Sequence, residues 1–334
     1  MTRESVLTRK SLSIIKTKPV RLPKPLEQLS KEELERKQCI SKVMTFVLKY
    51  LTGRFVDCEF EWMLPVIFSK STDPLWPDSG VSLEKRIEVE IYGNTVRPTL
   101  SMIVHKMVAC SLIHPKLFTF SPNVRIERIA RKESGLHTYE FTQLDFECRN
   151  ATSREIRTFV EDTLCGLMLS LKKSARQELI FLKRYNALDV PKEPFKIYTR
   201  REAEDKYGKN WETTLRMEID DPVWITDIPR EFYDFEDFKT GQWDNYDLFL
   251  PGYGEALSGS RREWEYIKIV EKMERDIVDK DNYKVFLKLA KERRISPSAG
   301  AGLGIERLVS WIVGAKHIGE TQPFPKIPGV VYDL

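Results

Sequence analysis

The sequence predicts an α+β chain, and two observations predict it. Two runs of period-two alternation, residues 124–129 and 139–147, flank a basic loop as the arms of a hairpin would. Ser/Thr-x-x-Glu capping boxes at Ser30, Thr152 and Thr199 open stretches that read as helices. At 334 residues the chain can build one large or two modest domains. Its 54 Lys and Arg nearly balance 50 Asp and Glu, so there is no global basic field and any polyanion must be met locally. Cys39, Cys58, Cys110, Cys148 and Cys165 are scattered without Cys-x-x-Cys spacing, which argues against a disulfide framework or a zinc site. No apolar run reaches the ~18 residues of a membrane span, and no signal-peptide core opens the chain, so a cytoplasmic protein without a membrane partner is expected.

Taken in order, residues 1–29 are basic, carry Pro23 and Pro25, and read as an extended N-terminal arm. Ser30 opens a helix in which Leu34, Ile40, Val43, Val47, Tyr50 and Leu51 recur at helical spacing, ending near Gly53. Residues 86–92 alternate like a strand, and residues 100–107 begin a helix. In the hairpin, Arg125 and Glu127 project from one strand face, while Phe141 shares a face with Tyr139, Gln143, Asp145 and Glu147. The loop between holds Arg131, Lys132, Glu133, Ser134, Gly135 and His137. A cation on a strand, an aromatic opposite it and a mobile basic loop can hold a triphosphate and stack an adenine; an ordinary salt-bridged hairpin leaves the same pattern. Beyond it, Thr152 caps an amphipathic helix through Ile156, Phe159, Val160, Leu164, Leu167 and Leu171, which reads as core packing. Residues 222–229 read as a strand leading back toward the hairpin, and residues 264–294 as a solvated helix pair around an apolar stripe.

Four segments resemble the catalytic core of class II aminoacyl-tRNA synthetases of the aspartyl and asparaginyl branch. Phe60-Glu-Trp-Met-Leu-Pro65-Val-Ile is similar to the first motif, a helix and a strand ending at a proline. Pro122-x-Val124-Arg125-x-Glu127 and His137-x-x-Glu140-Phe141-Thr142-x-Leu144-Asp145 resemble the outgoing and returning strands of the second. Asp247 to Arg262 is similar to the magnesium and substrate segment, and Ser298 to Leu308 to the third motif, a glycine-rich strand entering a helix near Arg307. The resemblance implies an antiparallel sheet flanked by helices, one catalytic domain over residues 30–334, and a homodimer through the first motif.

It also implies roles. Arg125 would meet the α-phosphate of ATP, Arg307 the γ-phosphate and the adenine face, and His137 the phosphate tail. Phe141 would stack under adenine, Glu127 would hold the ATP side, and Gly300, Gly302 and Gly304 would let backbone approach ligand. Asp247, Glu255 and Ser258 would hold Mg2+. Ser101, Lys106, Asp145, Ser258 and Arg262 would line the amino-acid pocket, with Arg262 a planar fork for a carboxylate, Lys106 a second positive charge and Asp145 a partner for an ammonium. Together they suit aspartate better than asparagine, whose amide would leave a cation unpaired at ~1–3 kcal/mol. One departure stands out. The family's Ser-Pro-Gln-x-x-Lys, whose glutamine helps aspartyl enzymes hold the substrate α-amino group, here keeps Ser101 and Lys106 but has Met102 and Ile103 between them.

The arm is too short for the five-stranded anticodon-binding barrel of the tRNA-charging enzymes, so tRNA is not expected as a partner. A bare core of this size resembles the archaeal asparagine synthetases related to asparaginyl-tRNA synthetase. That resemblance implies asparagine made from aspartate, ATP and ammonia through a β-aspartyl-adenylate, releasing AMP and pyrophosphate. With no room for a glutaminase domain and no N-terminal cysteine nucleophile, free ammonia is the expected nitrogen source. The alternatives are transfer of activated aspartate or asparagine to tRNA or a protein acceptor, and a non-catalytic paralogue; the retained arginines and acidic ligands argue against the latter.

Overall fold

The computed structural model describes residues 20–72 and 83–333; the part of the predicted arm before Val20 lies outside them. At its centre is one eight-stranded sheet. In chain order the strands are β1 (Glu61–Trp62), β2 (Lys116–Val124), β3 (Glu140–Arg149), β4 (Lys196–Thr199), β5 (Val223–Thr226), β6 (Asn245–Leu250), β7 (Gly254–Arg261) and β8 (Ser298–Gly304). They lie side by side as β1-β2-β3-β8-β7-β6-β5-β4. From β2 across to β5 every pairing is antiparallel. The short strands β1 and β4 add to the two rims in parallel, around the antiparallel body that was expected.

Helices pack this sheet from both sides: α1 (Lys31–Asp57), α2 (Ile103–Leu112), α3 (Ser153–Ser174), α4 (Tyr266–Arg275), α5 (Lys284–Lys291) and α6 (Ile305–Val313). All three predicted capping boxes form, at Ser30, Thr152 and Thr199. Helix α1 continues past Gly53 because Val47, Leu51 and Phe55 keep its apolar stripe buried. Phe55 is the hub of that packing, with ring centroids 4.9 Å from Phe60, 5.2 Å from Phe118, 5.1 Å from Phe146 and 5.2 Å from Phe159. Helices α1 and α3 approach so closely that a Cβ at Gly166 would lie 2.3 Å from the Tyr50 hydroxyl.

Strand alternation decides which face does what. Leu144 and Phe146 of β3, Leu257 of β7, and Ala299, Ala301 and Leu303 of β8 belong to the main core with α1, α3 and α6. The residues out of phase with them face the other way and floor a cleft.

Several predicted elements shift. The first hairpin strand starts at Lys116 and closes at Val124, because the Glu127 N–H bonds the Arg125 carbonyl at 2.7 Å in a tight turn that carries the chain out of the ladder. Ile126 and Glu127 pair instead with Leu83–Lys85. The loop coils into a short 3-10 turn, Ile129–Ser134, ended by Gly135 at φ 74. The run 86–92 yields only the strand Val89–Ile91. The pair α4 and α5 is less solvated than expected: Ile269, Met273, Phe286 and Leu289 pack with Phe232, Tyr233 and with Val104 and Met107 of α2. Lys272 goes inside with them, bonding the Asp234 carbonyl at 2.5 Å and Glu263 at 3.3 Å. No helix of the described residues is long and apolar enough to cross a membrane.

Candidate active site

Pairing register sorts the polar face of the sheet into rows. Asp145 lies opposite Gly302, Gly302 opposite Ser258, and Ser258 opposite Asp247; Glu147, Gly300, Ser260 and Asn245 form the next row. Adjacent strands are ~4.8 Å apart, so residues of a row sit shoulder to shoulder. Above them opens a cleft of about 570 Å³. Of the predicted site residues, Ser101, Lys106, Arg125, Glu127, His137, Phe141, Asp145, Glu255, Ser258, Arg262, Gly302, Gly304 and Arg307 line it; Asp247 and Gly300 do not.

At the deep end lies a buried charge network. Lys106 Nζ donates to Asp145 Oδ1 at 2.9 Å and to the Ala301 carbonyl at 2.8 Å, and lies 3.9 Å from Glu147. Asp145 Oδ2 accepts from Ser121 Oγ at 2.6 Å. Arg262, 2 % exposed, lines the cleft with a guanidinium already engaged by protein groups. Its Nε bonds Glu147 at 3.2 Å, Nη1 bonds Asp234 at 3.0 Å and Ser260 Oγ at 2.6 Å, and Nη2 bonds the Gly300 carbonyl at 3.1 Å. The fork expected for a substrate carboxylate is thus largely taken up by the protein: a cation this buried must be paired, or it costs several kcal/mol. Lys106 and Asp145, expected as separate substrate contacts, are likewise partners of each other. Each cation still keeps one N–H beyond these bonds among the described residues, Lys106 by using two of three donors and Arg262 four of five.

The three glycines differ in what surrounds them. Gly300 is small for its neighbours, since a Cβ there would sit 2.2 Å from the Phe146 carbonyl and 2.3 Å from Glu147 Oε2. At Gly302 a Cβ would come 3.1 Å from Asp145 Oδ1, so its absence keeps that carboxylate open to the cleft. Gly304 has ordinary space around it.

The other end is cationic and aromatic. The Arg125 guanidinium lies 5.2 Å from the Phe141 ring centroid and is steadied by the Leu100 carbonyl, 2.9 Å from Nη2. Arg307 faces it from the first turn of α6, bonding the backbone carbonyls of Glu255 and Leu136. Glu127 is bridged by Arg131 at 2.8 Å, and burial raises its pKa against the pull of Arg131 and Arg125. His137 Nδ1 lies 2.8 Å from Ser134 Oγ. Burial, then the charges of Arg307 and Arg131, hold its pKa well below the usual imidazole value, so it enters the site as a neutral ring.

Asp247, Glu255 and Ser258 were expected to hold magnesium. Asp247 Oδ1 is buried without a hydrogen-bond partner, the kind of atom a cation would satisfy. Burial, with Glu255 adding to it, pushes the Asp247 carboxyl well above the usual range, and Arg230 opposes the shift. Two carboxylates and a hydroxyl fit an ion that shares its shell with phosphates, as Mg2+ commonly does. Among the described residues no group of three His, Cys, Asp or Glu is gathered for a metal, so substrate oxygens would complete the shell. Here the structure adds a residue that sequence reading missed: Arg230 donates to Ser258 Oγ through Nη1 and to Asp247 Oδ2 through Nη2. Asp234, which aligns Arg262, was missed as well. Both stand in Pro229-Arg-Glu-Phe-Tyr-Asp234, a charged and aromatic run outside every motif, with no periodicity to single it out.

A mostly antiparallel sheet with a polar face, a hairpin arginine and a second arginine where a glycine-rich strand enters a helix is the architecture of a class II synthetase catalytic core. Residues 99–328, more than two thirds of the chain, match the family described as tRNA synthetases class II (D, K and N), and the chain belongs to that family. Among solved structures it is similar to Pyrococcus horikoshii asparaginyl-tRNA synthetase complexed with asparaginyl-adenylate, with a TM-score of 0.77 at 22% identity over 93% of this chain and 76% of that one. Entamoeba histolytica asparaginyl-tRNA synthetase in complex with asparaginyl-adenylate also gives 0.77, at 20% identity over 89% and 69%. Aspartyl-tRNA synthetase of the same organism gives 0.68, at 18% identity over 88% and 59%. At these identities the likeness speaks for the fold.

His137 offers a check on the electrostatics of the cleft. A folded imidazole with a depressed pKa refuses a proton that the unfolded one accepts, so its contribution to stability falls as pH drops through the unfolded value of ~6.5. In an NMR pH titration the His137 ring should stay neutral at about pH 6, below that ordinary value. A midpoint at or above the ordinary value would mean that the ring is not enclosed by Arg307 and Arg131 as described.

Proposed function

We propose that this chain makes asparagine from aspartate, ATP and ammonia. A β-carboxylate oxygen of aspartate attacks the α-phosphorus of ATP, the bond to the β-phosphate oxygen breaks, and pyrophosphate leaves. Ammonia then adds its nitrogen to the β-carbonyl carbon of the adenylate, loses a proton to solvent, and displaces AMP. The observation that carries this reading is the pair Lys106 and Arg262, which both line the cleft and each keep one N–H beyond their bonds among the described residues. Two such donors, one from each cation, suit the α-carboxylate. Asp145, kept open by Gly302, suits the ammonium. Ile103 also lines the cleft and can accept no hydrogen bond, so the amino group has no partner where the resembling aspartyl enzymes have a glutamine.

The ATP end follows from its charges. Arg125 over Phe141 and Arg307 across the cleft can neutralise the triphosphate as charge builds on the leaving group, while Phe141 and the Arg307 plane sandwich the base. Magnesium on Asp247, Glu255 and Ser258 would supply Lewis-acid neutralisation of the same oxygens when bound. Glu127 and neutral His137 can orient the nucleotide by hydrogen bonds.

A homodimer belongs to the proposal. β1 is a rim strand, and around it Trp62, Leu64, Ile67 and Phe68 are exposed, Leu64 to 83%. An apolar rim of this kind is what a second copy would cover. A second reading, transfer of the activated amino acid to tRNA, is favoured by one fact: the similar solved structures that hold asparaginyl-adenylate are tRNA synthetases.

Incubation with aspartate, ATP, magnesium and ammonium, without tRNA, should yield asparagine and AMP in equal amounts. AMP that forms only when tRNA is added would sink the asparagine reading in favour of the second. Arg125→Ala and Arg307→Ala should each slow AMP formation by ~10²–10³-fold, the scale of losing one transition-state donor. In sedimentation velocity the wild type should run as a dimer and Leu64→Glu as a monomer; a wild type that stays monomeric at micromolar concentration removes the dimer from the proposal.

A further inference from the structure

Arg230 sits on the loop between β5 and β6, and its side chain is 22% exposed at the cleft while that of Asp247 behind it is 4% exposed. It lines the cleft, as Ser258 does; Asp247 does not. Through its two terminal nitrogens it holds Ser258 Oγ and Asp247 Oδ2, two of the three groups suited to a divalent ion. We propose that Arg230 is a displaceable counter-cation, a guanidinium that keeps Asp247 and Ser258 in place in the nucleotide-free protein and that a divalent ion must push aside to reach them. The inference rests on reading this end of the cleft as the place of a metal-bound nucleotide.

Three features support it. The guanidinium stays charged at any pH the protein meets and its planar fork matches a carboxylate and hydroxyl side by side, so it is a better standing partner than a lysine would be. It satisfies only one Asp247 oxygen, for Oδ1 is left buried and unpartnered. Like charges a few ångströms apart repel strongly in a desolvated site, so Arg230 and a dication cannot share Asp247 and Ser258 in their present arrangement. Arg230 therefore sets a threshold. A bare metal ion, which brings no phosphates, meets a site already neutralised, whereas a metal arriving with a triphosphate brings new anions to which the freed guanidinium can turn.

The test is Mn2+ binding to the 334-residue chain, stripped of metal with EDTA and free of nucleotide and amino acid, followed by electron paramagnetic resonance. Arg230→Gln should bind Mn2+ about tenfold or more tightly than wild type, because the ion no longer competes with a charge-assisted pair. Adding Asp247→Asn to that variant should remove the gain. Arg230→Lys, which keeps the charge but not the fork, should lie between wild type and Gln. A Gln variant with a wild-type melting curve that binds Mn2+ no more tightly overturns the proposal. If that variant does not fold, a folded Lys variant indistinguishable from wild type in Mn2+ affinity overturns it equally. Neither substrate is present, so the outcome is separate from whether the enzyme makes asparagine.

Discussion

Five charged side chains buried side by side, Lys106, Asp145, Glu147, Arg262 and Asp234, constrain everything around the cleft. Removing one partner from such a set leaves an uncompensated buried charge, at ~3–5 kcal/mol, so the elements that carry them cannot drift independently. Lys106 fixes the depth of α2 against the sheet. Arg262 ties the end of β7 to β3 through Glu147 and to the loop after β5 through Asp234. Backbone carbonyls of β8 take part, with Ala301 accepting from Lys106 and Gly300 from Arg262, and at Gly300 the Phe146 carbonyl and Glu147 leave no room for a Cβ. Two cations among three carboxylates leave the set net negative, which in the proposed reading favours the ammonium of an amino acid and leaves its carboxylate the two remaining N–H groups.

The same loop joins the two ends of the cleft. Arg230 reaches the Asp247 and Ser258 side, while Asp234, a few residues on, holds Arg262 at the buried charge network. Behind this loop Phe232 and Tyr233 pack on α4 and α5, with Lys272 bonded to the Asp234 carbonyl. The helix pair that looked solvated in sequence is thus the support that holds this loop against the site.

Much of this is legible in the sequence. Alternation in residues 139–147 placed Phe141, Gln143 and Asp145 on one face, and they line the cleft together. The capping boxes marked three helix starts because their chemistry is local: a side chain and a backbone N–H three residues away. Nonlocal effects were not legible. Nothing in Arg262 itself says whether its fork points outward or is consumed by Glu147 and Asp234, residues far off in sequence. Gly300 reads as room for a ligand until Glu147 is seen beside it. Arg230 lies outside the motifs, and only the register of β6 and β7 brings Asp247 and Ser258 into its reach.

The central claim is that Lys106 and Arg262 take the α-carboxylate of aspartate and turn its β-carboxylate toward ATP. Hydroxylamine tests it most directly, since it captures whichever carboxyl has been activated. With aspartate, ATP, magnesium and hydroxylamine in place of ammonia, and no tRNA, the product separated by chromatography should be aspartate β-hydroxamate. Accumulation of the α-hydroxamate would contradict the claim, placing the β-carboxylate on Lys106 and Arg262 and the α-carboxylate at the phosphate.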